Sequence, residues 1–199
     1  MDRIGIDGGL LVVMLRLLRL ASVERISFDM TSLAAAVLEQ AVANEQRVFF
    51  IGSTVDSVTA ASKILTDRYS GLRVCGIRDG YFSSRSERDE TLKSIVFTSP
   101  DIVICGMGAP LQERFLWDLR KAGWQGTGFT CGGFIHQTAK AGRLNYYPEW
   151  ITRTGLRWLY RIYDEPKLIK RYAVLYPKAI AYFVFDAVSL RFDKTAPTH

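Results

Sequence analysis

Apolar residues in this chain gather in short unbroken runs that end in glycine. The four runs are Arg47-VFFIGS-Thr54, Leu72-RVCG-Ile77, Asp101-IVICGMG-Ala109 and Thr127-GFTCGG-Phe134. Each is rich in β-branched or aromatic residues and, Arg73 apart, uninterrupted by charge, the pattern of a strand buried on both faces of a parallel sheet. Helical patterns lie between them. Ser32 to Asn44 follows Thr31 as its N-cap, and Val55 to Tyr69, Arg85 to Phe97 and Gln112 to Ala122 carry polar faces. Strands alternating with helices predict an α/β fold, a Rossmann-like parallel sheet with right-handed crossovers. Ligands of such sheets bind beyond the carboxyl ends of the strands, where these glycine turns fall.

The pattern changes after Tyr147-Pro148. Glu149 to Tyr163 reads as one helix, with Arg153, Arg157 and Arg161 spaced by four in a basic stripe. Pro166 breaks it. A second helical segment begins with Lys167, Lys170 and Arg171 and runs into the apolar stretch Ala179 to Val184. The expected division is a catalytic domain over 1–145 and a helical appendage over 146–199. No internal repeat or low-complexity linker appears.

The chain has 199 residues, of which 48% are hydrophobic and 23% charged, enough for a core of ordinary size. The net charge of +6 is not spread evenly. Residues 1–139 carry fifteen cations and fifteen acids, residues 140–178 nine cations and three acids, and the remainder is balanced. A basic block of this kind faces a polyanion or is a solvated face. No apolar window is long enough to span a bilayer. Leu10 to Leu20 is interrupted by Arg16 and Arg19 and is not read as a signal peptide. The cysteines, Cys75, Cys105 and Cys131, are widely separated, which argues for reduced core thiols over a zinc site or disulfide framework. The absence of helix-turn-helix, RNP and zinc-finger patterns argues against nucleic acid as partner.

Candidate chemistry is confined to a few places. Gly106-MGAPLQ-Glu113 sets a glycine turn after a buried strand, where backbone N–H groups approach a diphosphate closely. It lacks the third glycine of a dinucleotide fingerprint and the lysine of a P-loop. Asp7, expected at a strand end before Gly8 and Gly9, suits a general base. An aspartate in an ordinary turn is the commoner reading of that pattern. His136 follows the Gly132-Gly133 pair, where it either touches a ligand or is hydrogen-bonded structurally. No D-x-D triplet occurs, which argues against a sugar-nucleotide site built on paired carboxylates and a divalent metal. No G-x-S-x-G elbow occurs either.

Taken in order, these pieces resemble the WecG/TagA/CpsF glycosyltransferases over about Ile4 to Pro177. Asp7-Gly8 is similar to the family's early D-G motif, and Glu24-RISF-Asp29 to its E-R-hydrophobic-x-x-D segment. Arg78-DGY-Phe82 is similar to D-G-Y-F. Gly106-x-Gly108-x-Pro110-x-Gln112-Glu113 is similar to G-x-G-x-P-K-Q-E, and Gly132-Gly133 to the later G-G pair. Leu156-RWLYRIYDE-Pro166 is similar to L-E-W-L-Y-R-L-x-x-E-P.

The resemblance implies inverting transfer of a sugar from a UDP-sugar to a polyprenyl-diphosphate-linked sugar. It implies no cofactor and no metal, and peripheral action on the cytoplasmic face of the inner membrane, in building extracellular polysaccharide or wall polymer. It assigns the base to Asp7. UDP-sugar binding falls to Gly106, Gly108, Pro110, Gln112, Glu113, Gly132, Gly133 and His136. The lipid diphosphate falls to Arg161 and Arg171, with Lys167 and Lys170 beside them. The basic aromatic block suits an anionic leaflet, to which each cation near the surface contributes about 1 kcal/mol. The apolar tail is expected to mediate self-association or membrane contact.

Three positions depart from the family pattern: Leu111 replaces its lysine, His136 its aspartate after G-G, and Tyr146-Tyr147-Pro148 its R-A-P. They mark a subgroup with a different sugar or acceptor. Family members carry a T-P-N element before D-G, which this sequence lacks. The alternative expectation is therefore an N-terminally truncated, inactive member that binds a membrane or partner protein.

Overall fold

The computed structural model describes residues 5–144, 146–154, 156–164 and 166–193; the side chains of residues 149, 152, 153, 167, 171, 188 and 190–193 lie outside that description. The residues form two compact units. The first takes in 1–7 and 25–146, the second 8–24 and 147–199.

The first unit is built on four parallel strands: β1 (Arg47–Gly52), β2 (Arg73–Arg78), β3 (Ile102–Gly106) and β4 (Thr127–Thr130). Their order is β2-β1-β3-β4. The expected α/β fold is the one observed. The two central strands are buried along almost their whole length, which is why they read as continuous apolar runs. Alternate residues serve opposite faces. On one face, Val48 and Phe50 of β1 and Ile102 and Ile104 of β3 pack with α2 (Leu33–Ala43), α3 (Val55–Arg68) and α6 (Phe134–Ala141). On the other, Phe49, Ile51, Val103 and Cys105 pack with α4 (Arg85–Thr98) and α5 (Leu111–Lys121). The result is a sheet covered by helices on both sides.

The helix starts follow local chemistry. Thr54 accepts the Ser57 N–H and caps α3, and Ser84 accepts the Glu87 N–H and caps α4. The start of α2 differs from the expectation that Thr31 caps it. Its N-cap is Ser32, without a side-chain cap bond, and Asp29 organises the turn instead. The Asp29 carboxylate accepts both the Thr31 N–H and the Thr31 hydroxyl, and its carbonyl accepts the Ala34 N–H. The Ala34 N–H that a Thr31 cap would take is claimed by the Asp29 carbonyl, and the Thr31 hydroxyl is itself spent as a donor to the Asp29 carboxylate.

Burial determines the state of the cysteines. All three are free thiols. Desolvation pushes Cys105 far up and Cys131 up to about 12, and raises the half-buried Cys75 as well. Since the thiolate is the reactive form, iodoacetamide at pH 8 should leave Cys105 and Cys131 unlabelled in the folded chain and label them in urea. Rapid labelling of Cys131 in the native protein would contradict this packing.

The second unit contains α1 (Gly9–Leu17), α7 (Glu149–Thr154), α8 (Arg157–Asp164) and α9 (Tyr176–Asp193). A 3-10 turn spans Pro166–Leu168 and a π-helical turn Arg171–Leu175. The single helix expected from Glu149 to Tyr163 is two helices. The Thr154 hydroxyl bonds back to the carbonyls of Trp150 and Ile151, and the Leu156 N–H reaches Ile151. This closes α7 at Thr154. The expected basic stripe is divided accordingly: Arg153 belongs to α7, while Arg157 and Arg161 share α8. Pro177 sits in the first turn of α9, where a missing N–H is harmless. Among the described residues, no helix is long and apolar enough to cross a membrane.

Candidate functional site

β2 lies to one side of β1 and β3 to the other, so the chain reverses its direction of travel across the sheet between β1 and β3. The crevice of such a fold opens at the carboxyl ends of those two strands. Gly52 ends β1 and pairs with Gly106 at the end of β3. The Ser53 N–H donates to the Gly106 carbonyl at 3.2 Å, and the Gly80 N–H donates to the Ser53 carbonyl at 2.9 Å. Three strand ends are thereby tied together. Gly52 has φ +142°, and a Cβ there would collide with the Gly106 backbone.

The turn after β2 is held by Arg78. Its guanidinium donates to the carbonyls of Asp79 and Tyr81 and to Glu87 Oε1 at 2.6 Å, and lies 4.3 Å from the Phe82 ring centroid. Phe82 in turn stacks on Phe115 of α5. Tyr81 is 68% exposed. The Ser83 N–H and hydroxyl both donate to Glu87 Oε2 and hold its carboxyl below the usual value. A depressed folded-state value means stabilisation that is present above the unfolded carboxylate range and lost as pH falls through the folded one. Glu87→Gln should therefore lower the urea midpoint at pH 7, with the gap closing once pH drops below about 4.5. A gap independent of pH would show that Glu87 acts by packing alone.

The turn after β3 carries the signature residues. The Ala109–Pro110 peptide is cis, Gly108 has φ +76°, and α5 starts at Leu111 with Pro110 as its N-cap. Gln112 is buried and bridges two turns. Its Nε2 donates to Glu113 Oε1 at 2.9 Å, and its Oε1 accepts the Gly132 N–H at 3.1 Å. Gly106, Gly108, Pro110, Gln112, Glu113 and Gly132 thus form one assembly at the sheet edge, and Gly133 caps α6 beside it. His136, expected just past the strand end, lies in the first turn of α6. It is exposed and has no hydrogen-bonding or ionic partner among the described residues. It is therefore not the structural hydrogen-bonded histidine. Leu111 is 59% exposed at the start of α5.

Asp7 is not at a strand end. It precedes Gly8, the N-cap of α1, in a segment whose Ile6 carbonyl accepts the Ile26 N–H. Arg25 grips it twice, donating from Nε to the Asp7 carbonyl at 2.7 Å and from the guanidinium NH2 group to Asp7 Oδ1 at 2.8 Å. The Asp7 side chain remains 70% exposed. Two of the sequence motifs, D-G and E-R-x-x-x-D, are therefore one structural feature. Phe28 extends it to the sheet, packing 5.5 Å from the rings of both Phe129 and Phe134. Arg25 and Arg78 organise this unit, yet sequence reasoning gives neither a role. Their place inside two of the family-like motifs is the signal that could have found them.

In the second unit, Arg161 is half-buried on α8 and Lys170 is exposed ahead of the π-helical turn. The side chains of Lys167 and Arg171 lie outside the described residues. Arg157 stands 5.0 Å from the Tyr147 ring, and Tyr172 contacts both Trp158 and Tyr176. Trp158, Leu159 and Tyr163 of α8 and Tyr182, Val184 and Phe185 of α9 are exposed.

The family model described as "Glycosyl transferase WecG/TagA/CpsF family" matches residues 1–193. A UDP-Gal:alpha-D-GlcNAc-diphosphoundecaprenol beta-1,4-galactosyltransferase from Shigella boydii is 34% identical over 195 residues, 98% of this chain and 81% of that protein. Two N-acetylglucosaminyldiphosphoundecaprenol N-acetyl-beta-D-mannosaminyltransferases also match. That of Bacillus subtilis is 28% identical over 65% of this chain and 50% of its own length. That of Bacillus spizizenii is 26% identical over 70% and 52%. The matched region spans about half the length of the two Bacillus proteins.

Proposed function

Because the chain belongs to the WecG/TagA/CpsF family of glycosyltransferases, we propose that it moves a hexosyl or N-acetylhexosaminyl group from a UDP-sugar to a polyprenyl-diphosphate-linked sugar. The observation that carries this reading is the bridge through Gln112. It joins the turn after β3, which borders the crevice between β1 and β3, to the turn after β4. The activity of the Shigella relative makes UDP-galactose the first donor to test.

In this mechanism Asp7 Oδ2 takes the proton of the acceptor hydroxyl. The freed oxygen attacks the anomeric carbon from the side opposite UDP, the new C–O bond forms as the bond to UDP breaks, and the configuration inverts. Arg25 fixes the carboxylate for that task by holding Oδ1 and the Asp7 carbonyl. Glycine turns at 106–108 and 132–133 hold the diphosphate by backbone N–H groups. Arg161, Lys167, Lys170 and Arg171 hold the lipid diphosphate, arginine by paired hydrogen bonds. The reaction runs without a metal, on the cytoplasmic face of the inner membrane. The 1–145 segment performs the chemistry, and the 146–199 segment holds the acceptor.

The test is acceptor-dependent UDP release by the full chain in EDTA. The donors are UDP-galactose, UDP-glucose and UDP-N-acetylglucosamine, and the acceptor a short-chain polyprenyl diphosphate bearing N-acetylglucosamine. Release with a product of inverted anomeric configuration is expected. Release that needs added divalent cation would refute metal independence, and a retained anomer would refute inversion. No acceptor-dependent release from any donor would refute the transfer reading.

A further inference from the structure

The two oxygens of the Glu113 carboxylate differ in their surroundings. Oε1 accepts the Gln112 amide. Oε2 is buried and has no hydrogen-bond partner among the described residues. A buried acceptor with no donor is rare in folded proteins and destabilises them. The carboxylate also stands close to the end of β3, where its charge opposes ionisation of Cys105. Glu113 itself lies in the first turn of α5, directly after the signature turn.

Donor and acceptor chemistry fixes what the pair Gln112 and Glu113 does. The Gly132 N–H can only donate and a carboxylate can only accept. Glu113 Oε1 thus selects the one amide orientation of Gln112 that presents Oε1 to Gly132. With the opposite orientation, the amide would turn its own N–H groups toward that donor. The remaining oxygen repels phosphate, and a nucleotide sugar carries no cation, so the groups such a ligand can offer it are O–H and N–H donors.

We propose that Glu113 Oε2 receives an uncharged O–H or N–H group of the nucleotide sugar, a sugar hydroxyl or the uracil N–H, while Oε1 orients Gln112. The inference rests on the UDP-sugar reading of the same site. It makes Glu113 a ligand-binding residue that also positions the turn at Gly132. An isolated structural acceptor would do neither.

The experiment compares wild type, Glu113→Gln and Glu113→Ala as full chains, by thermal unfolding and by calorimetric titration with UDP, UDP-galactose and UDP-N-acetylglucosamine. E113Q retains a carbonyl oxygen for Gln112, so the contact to Gly132 persists. It replaces the orphaned carboxylate oxygen by a neutral amide. Unliganded E113Q is expected to melt at or above the wild-type temperature, because a neutral buried group is tolerated better than a charged one. Its Kd for a UDP-sugar is expected to rise about tenfold or more. Loss for the UDP-sugar alone identifies a sugar hydroxyl; an equal loss for UDP identifies the uracil N–H. E113A also releases Gln112 and is expected to melt lower and to bind UDP itself more weakly.

The proposal is overturned if E113Q melts several degrees below wild type, since Oε2 then serves the fold. It is equally overturned if E113Q binds every probe as wild type does. A wild-type chain that binds none of the three probes overturns the UDP-sugar reading itself, and this proposal with it. The two failures are distinct because the second is seen in the wild type.

Discussion

Asp7→Asn is expected to lower acceptor-dependent UDP release by about 100- to 10,000-fold, the usual range for losing a general base. The substitution isolates that role cleanly. Asparagine keeps an oxygen where Arg25 binds Oδ1, so the local geometry survives. The ion pair it weakens is largely solvent-exposed and worth about 0–1 kcal/mol. A fall in turnover without a fall in urea midpoint therefore points to chemistry. Arg25→Lys is a second control. It keeps the charge but loses the two-point grip, so turnover should fall while KM for the donor stays near wild type. Wild-type turnover in D7N would place the base elsewhere.

Gly52→Ala is expected to destabilise the first unit by about 2–5 kcal/mol, from backbone strain and overpacking together. The glycine has φ +142°, a conformation that L side chains rarely adopt. Its missing Cβ would also lie against the Gly106 carbonyl, which already accepts the Ser53 N–H. Neither strand can retreat without losing pairing between β1 and β3. A loss of this size is a large share of the roughly 5–15 kcal/mol that holds an ordinary domain together. Gly108→Ala makes the contrast. Its φ is +76°, but nothing lies within 4 Å of a Cβ there. It should cost only about 1–2 kcal/mol, and on the proposed reading of this turn the added methyl should weaken UDP binding. Urea titration of both variants, with UDP binding measured on G108A, checks the pair. Equal stability of G52A and wild type would contradict the close approach of the two strand ends.

What was legible in the sequence follows from burial. β1 and β3 lie in the middle of the sheet with both faces covered, so their side chains are apolar without alternation and announce themselves. Helices α3 and α4 begin at Thr54 and Ser84, hydroxyl caps that the sequence displays directly. α6 was not legible. Its eight residues mix Phe134, Ile135 and Thr138, all buried, with exposed His136 and Lys140, too short a stretch to show a period. α1 was hidden for the opposite reason: Gly9–Leu17 is apolar on nearly every face, so no stripe emerges. The break after α7 depends on a threonine bonding its own backbone, an outcome that spacing rules do not register. At the candidate site, the glycine turns and the Gln112–Glu113 pair could be read because they are contiguous. The hold of Arg25 on Asp7 could not, because eighteen residues and a helix separate them.

The second unit is discontinuous in the sequence: residues 8–24 belong with 147–199, and the sheet-bearing unit is enclosed between them. On the ribosome this has a consequence for timing. The leading piece of the second unit emerges early, at about 5–20 residues per second. It must then wait for the whole sheet to be synthesised before its partner exists. Leu10, Leu11, Val13 and Leu17 stay exposed even in the folded chain, while Val12 is buried, so the segment offers apolar surface to chaperones or to the bilayer from the moment it emerges. Cutting the chain after Tyr146 would make the wait permanent, leaving residues 8–24 without the rest of their unit. Poor solubility of that fragment would then report an orphaned segment, and would say nothing against the sheet.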